Sequence, residues 1–212
     1  MREDGRQDDV FALIGPKRYD VPWKTLDRGY IAEASCTEYR LTLPPEEELL
    51  YAHVEKKDRF RIAAENSDKI ELVRELICNH EGDQILVIGQ FIAQLERLAA
   101  ELGAPLITGK MRHAERERLY GQFKAGELPV LIVSKVANFA VDLPDANVVI
   151  QVSGTFGSRQ EEALRLGRIL RPKAAPSSFY TLVSKGTDEQ EFGAKRQLFL
   201  VEQGYKYAIR FF

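Results

Sequence analysis

The sequence predicts an α/β domain: a mainly parallel sheet with helices on both faces, preceded by an irregular and partly helical extension. Three observations lead there. Short unbroken apolar runs at 84–88, 130–133 and 148–151 read as strands buried on both sides. Amphipathic stripes such as Phe91, Leu95, Leu98 and Leu102 read as helices between them. The links are short, and alternating strands and helices with short links pack as a parallel sheet covered on both faces. The chain of 212 residues is long enough for a substantial core. Residues 1–31 read as an interdomain linker or extension, rich in Pro, Gly and aromatics, and 32–212 as the sheet domain.

Each element has its own signal. Residues 35–43 alternate as a strand and end at Pro44-Pro45. Residues 46–64 read as one highly charged helix. Residues 68–80 read as a second, with Ile70, Val73 and Ile77 inward. Residues 105–107 make a brief strand, and 112–124 a helix. The strand at 179–183 precedes a helix over 188–203, and 207–212 can add a last strand. His53, His80 and His113 lie apart and read as surface residues, so no acid–base constellation for a metabolic enzyme is visible.

Bulk properties narrow the function. Thirty Lys and Arg stand against 32 Asp and Glu, a net charge of −2, so any phosphate binding must be local. Cys36 and Cys78 are far apart with no CxxC, which suggests neither zinc nor a disulfide framework, and no metal ligand set is assigned. With no spanning apolar run and no signal peptide, the expectation is a soluble intracellular protein that meets no membrane: cytoplasmic, or nuclear in a eukaryote.

In a parallel sheet the loops after 88, 107, 133 and 151 open on one edge, where ligands bind. They carry Gly89-Gln90, Thr108-Gly109-Lys110, Ser134-Lys135 and Ser153-Gly154-Thr155. Small and hydroxylated residues, exposed N–H groups and a Lys are the groups that hold phosphates. One such loop is ordinary turn chemistry; four in a row suit a nucleic-acid backbone. Arg116, on the helix after Thr108-Gly109, could steady that loop, reach a phosphate or pair locally near Arg112 and Tyr120. Asp142, just before Leu-Pro, has the position of a turn former.

The stretch 160–173, QEEALRLGRILRPK, places Arg168 and Arg171 at i and i+3 on one helical face. Ala163, Leu166, Gly167 and Leu170 form the core face beside them. Ser158 can cap the start with Glu161 as its partner, and Pro172 stops the helix. Such a pair is often a solvated basic face. The surrounding loops favour paired cations for a phosphoryl group.

Together these stretches resemble the second RecA-like domain of superfamily 2 helicases, and within them the XPB family, the xeroderma pigmentosum group B type DNA helicases. ILVIGQ, LITGKMRHAERERL, SKVANFAVDLPDANVVIQVSG and TFGSRQEEALRLGRILRPK are similar to that family's motifs IV, IVa, V and VI. FALIGPKRYDVPW resembles its link out of the first helicase domain. The resemblance implies arginine fingers at Arg168 and Arg171, with Gly167 beside them and Asp142 at the interdomain cleft near the nucleotide. It implies a groove for one DNA strand along Gln90, Thr108, Gly109, Arg116, Ser134 and Lys135. The implied activity is ATP-driven 3′ to 5′ unwinding or translocation on DNA, in repair or promoter opening. Family members often work with a nuclease or with transcription and repair factors.

Two positions depart from the family pattern. Leu164 stands where motif VI carries Gln, and Ala140 where motif V usually has Gly. The sequence also has no GxxxxGK[ST] and no DEAH or DEAD tetrad. The expectation is therefore a C-terminal helicase domain, inactive alone, that binds ATP and Mg²⁺ only together with a first helicase domain. The alternatives are a stand-alone nucleic-acid-binding or regulatory module, and a domain of an RNA helicase or restriction-type translocase.

Overall fold

The computed structural model describes residues 34–134, 146–154, 177–202 and 205–212, together with Arg18. Seven strands form one sheet: β1 (Ala34–Leu41), β2 (Ile85–Gly89), β3 (Leu106–Ile107), β4 (Val130–Ser134), β5 (Val148–Gln151), β6 (Ser177–Ser184) and β7 (Tyr207–Phe211). Their order is β3-β4-β2-β5-β6-β1-β7, and every neighbouring pair is parallel. The described helices are α1 (Pro45–His53), α2 (Lys56–Ala64), α3 (Lys69–Asn79), α4 (Ile92–Leu102), α5 (His113–Lys124) and α6 (Asp188–Glu202). None of them is long and apolar enough to cross a membrane.

The central strands are apolar throughout because both faces are covered. Leu86, Ile88, Leu131, Val133 and Val149 point to one face and pack with Leu119, Tyr120 and Phe123 of α5. Ile85, Val87, Ile132, Val148 and Ile150 point to the other and pack with Leu72, Val73 and Leu76 of α3 and Leu95 and Leu98 of α4. Each face removes several large aliphatic side chains from water, at about 1.5–3 kcal/mol per fully buried side chain. α4 stops at Gly103, whose φ of 60° is left-handed, as helix ends commonly require. Cys36 is buried and Cys78 exposed, and neither forms a disulfide.

Three local expectations need correction. Residues 46–64 are two helices, not one. Val54 adopts ψ of 160° and breaks the run. The charged sequence has no continuous apolar stripe to hold a single rod. α1 buries nothing, whereas the break lets α2 turn Phe60, Ala63 and Ala64 inward. On α3 the buried face is Lys69, Leu72, Val73 and Leu76, with Ile70 and Ile77 at its margin. A buried ion pair at Lys69 permits that rotation. His80 is half-buried rather than a free surface residue: its ring nitrogens lie 2.9 Å from Asp83 Oδ2 and 2.8 Å from the Tyr180 hydroxyl. Burial pushes the Tyr180 phenol above its usual range. The extension at 1–31 lies outside the described residues, Arg18 apart.

Candidate nucleic-acid interface

The parallel register brings the carboxyl ends of β3, β4 and β2 side by side. Gly89 pairs with Ser134, and Ile107 pairs with Val133. Gln90, Ser134 and Thr108 therefore stand in a row on one rim. Thr108 is half-buried, and Gly109 and Lys110 are exposed. Gln90 Oε1 and Ser134 Oγ are buried polar atoms with no hydrogen-bond partner among the described residues. A buried polar atom left without a partner costs about 1–3 kcal/mol, which makes this pair on the rim a candidate contact for a ligand or a neighbouring segment.

The loops are held from beneath. Gly89 is in a close approach that only glycine allows: a methyl group there would lie 2.7 Å from Leu95 Cδ2 and 3.0 Å from Val152 Cγ2. That closeness lets the Gln90 N–H donate to Ser153 Oγ at 2.8 Å, which ties the β2 loop to the β5 loop. The Thr108 turn closes by a bond from Met111 N–H to Thr108 O, and Arg116 Nη2 donates to Met111 O at 3.1 Å. Of the three roles open to Arg116, this contact supports steadying the loop.

Beneath the rim lies a charged cluster that sequence reasoning missed. Lys69 and Glu189 form a pair at 2.7 Å with side chains 1% and 0% exposed. Lys69 Nζ also donates to Ala64 O and Val152 O, at 3.2 Å and 3.0 Å. Glu189 Oε2 accepts from the Ser184 N–H at the end of β6. Burial pulls the Lys69 ammonium below its usual range, and the Glu189 carboxylate opposes that shift. Arg196, two turns along α6 from Glu189, is buried as well. The signal was there in the spacing. Lys69 shares the i, i+3, i+4, i+7 stripe of Leu72, Val73 and Leu76, and Glu189 and Arg196 share one face of α6.

Lys135, Asp142, Gly167, Arg168 and Arg171, together with Leu164 and Ala140, lie outside the described residues. Gln90, Thr108, Gly109 and Ser134 are brought together, with Arg116 at the base of the row. Among the described residues no group of three His, Cys, Asp or Glu side chains could hold a metal ion.

This architecture is that of the RecA-like C-terminal domains of helicases. The T4 UvsW structure superposes with a TM-score of 0.66 at 10% identity, covering 86% of this chain and 42% of that one. The C-terminal domain of the DEAD-box protein Dbp5 gives 0.61 at 14% identity, covering 84% and 91%. At such identities the likeness speaks for fold alone. The family model described as ERCC3/RAD25/XPB C-terminal helicase matches residues 26–210, and the chain belongs to that family. A DNA 3′-5′ helicase XPB of Kineococcus radiotolerans is 55% identical over 99% of this chain and 38% of its own length. The protein of the same name from Mycobacterium tuberculosis is 54% identical over 99% and 39%. The zebrafish (Danio rerio) general transcription and DNA repair factor IIH helicase/translocase subunit XPB is 37% identical over 99% and 28%. The chain thus spans well under half the length of these relatives.

Proposed function

We propose that this chain forms the second RecA-like unit of an ATP-driven DNA helicase or translocase of the XPB type. Residues 32–212 make the unit and 1–31 the link to a first helicase domain. The observation that carries this is the 55% identity to a DNA 3′-5′ helicase along 99% of the chain. The rim supports it. Gln90, Thr108, Gly109 and Ser134 offer amide, hydroxyl and backbone groups in a row, which suits one strand's phosphates and sugars. Lys135 adds the charge, and Arg116 holds the Thr108 turn in place.

These rim residues contain no nucleotide cradle, and the chain has no Walker-type loop. The nucleotide-facing groups in this reading are instead Arg168 and Arg171, with Gly167 next to Arg168 in the sequence and Asp142 assigned to the interdomain cleft. ATP with Mg²⁺ would be held jointly with the first helicase domain, whose loop supplies the phosphate cradle. Alone, the chain is inactive. Its work in this reading is intracellular DNA repair, a role in keeping with the repair factors named among the relatives, with transcription and repair factors or a nuclease as partners.

The test compares ATP turnover of the full-length protein with single-stranded DNA and with RNA. DNA should stimulate it; stimulation by RNA alone would overturn the DNA assignment in favour of an RNA helicase. A second expected result concerns Leu164. A Leu cannot hydrogen-bond a γ-phosphate or an attacking water. Leu164→Gln in the full-length protein should raise ATP turnover about tenfold, the value of one charge-assisted hydrogen bond. No gain in rate would refute that role for the position.

A further inference from the structure

The buried cluster of Lys69, Glu189 and Arg196 converges on one short segment, the turn that follows β5. Lys69 Nζ holds the carbonyl of Val152. Ser153 Oγ, in the same turn, accepts from the Gln90 N–H at the rim. Gly154 lies flat against the Arg196 guanidinium: a methyl group there would sit 2.5 Å from Arg196 Cζ and 2.6 Å and 2.7 Å from its two Nη atoms. Three consecutive residues are therefore fixed by three separate buried or half-buried groups. In the sequence, Arg168 and Arg171 follow Gly154 by 14 and 17 residues.

The cluster is also braced at its far end. Glu189 binds the Ser184 N–H, Ser184 Oγ donates to Ala63 O, and Asn66 Nδ2 donates to Ser184 Oγ. A methyl group on Gly193 would meet Glu38 Oε2 at 3.3 Å and Arg196 Nη2 at 3.8 Å, so the buried Glu38 carboxylate and Arg196 border the same point. Ions are costly to bury, and an apolar core of the same volume is often as stable. What the ions add is direction: fixed hydrogen bonds at the ends of β5, β6 and α2.

We propose that Lys69, Glu189 and Arg196 are positioning residues that hold the Val152–Gly154 turn rigid, so that strand contact at Gln90 is coupled through Ser153 to ATP turnover. The inference rests on the helicase function proposed above. It predicts that the turn governs how strongly nucleic acid stimulates ATP turnover, and not merely whether the domain folds.

The experiment uses the full-length protein and measures the ratio of ATP turnover with saturating single-stranded DNA to turnover without it. In Gly154→Ala the added methyl displaces the Arg196 fork, and the ratio should fall about tenfold, within the usual range of coupling between sites. Arg196→Lys exchanges the planar fork for one mobile ammonium. By itself it should lower the ratio about threefold. In Gly154→Ala combined with Arg196→Lys, the ratio should return to the level of Arg196→Lys alone, because the single ammonium can move aside. A purely structural role would lower both rates together and leave the ratio unchanged, which would overturn the proposal, as would a double variant no better than Gly154→Ala. If Gly154→Ala does not fold, Arg196→Lys decides the matter: an unchanged ratio overturns the proposal. A wild-type protein that DNA does not stimulate would sink the helicase function itself. A stimulated wild type with an equally stimulated Gly154→Ala sinks the coupling alone.

Discussion

Alanine at Arg168 or at Arg171 should cut ATP turnover of the full-length protein by about 10³-fold or more, while leaving the protein folded. In phosphoryl transfer little covalent chemistry falls to the protein, so the rate depends on charge placed around the transferring group, and an arginine finger contributes about 10³–10⁵ in kcat. On the helix that the sequence predicts for LRLGRILR, the two guanidiniums proposed as fingers would stand one turn apart, so each could address a different oxygen. Lysine in either position keeps the charge and loses the planar fork, and should restore little of the rate. Steady-state ATP hydrolysis with and without DNA measures this. Alanine variants at the wild-type rate would remove both arginines from the active centre.

Lys69→Met should lower the stability of the domain by about 3–5 kcal/mol, the usual cost of leaving one member of a buried ion pair behind. Glu189 is fully buried and would lose its cation. Ala64 O and Val152 O would lose a donor, softened by Gln94 Nε2, which reaches both at 2.5 Å and 3.5 Å. For a domain of this size the melting temperature should drop by roughly 10 °C. Adding Glu189→Leu to Lys69→Met removes the stranded charge and should recover most of the loss. The sign for pH follows from the depressed Lys69 ammonium. Between its folded-state value and its unfolded value the unfolded chain binds more protons, so this group makes stability rise with pH there, up to the unfolded range. Thermal or urea unfolding measures each of these. A Lys69→Met protein as stable as the wild type would show that the pair contributes nothing net.

The sheet was legible because its strands are buried on both sides, and a run such as Ile85–Gly89 can hardly do anything else. The helix at Ile92–Leu102 was legible because one stripe carries its apolar residues. The rim was legible in part: once the strands are parallel, Gln90, Thr108 and Ser134 must share an edge. Reasoning from local pattern failed where a distant contact decides the outcome. Val54 breaks a charged segment so that Phe60 can meet Phe91 and Phe192. Lys69 reads as a solvated cation until its partner, 120 residues later, is known. His80 likewise depends on Tyr180. The strand order itself is set by packing of faces that no single window of sequence reveals.

The place of β1 in the sheet bears on how the chain is made. It is bordered by β6 and β7, so Ser35 meets Ser178 across a separation of 143 residues. At about 5–20 residues per second of synthesis, β1 waits on the order of ten seconds for β6. Until then its backbone donors and acceptors are open to any passing strand, and such distant pairings close slowly. A ribosome paused between β5 and β6 would hold a nascent polypeptide with β1 unmatched, the moment at which a chaperone has most to do.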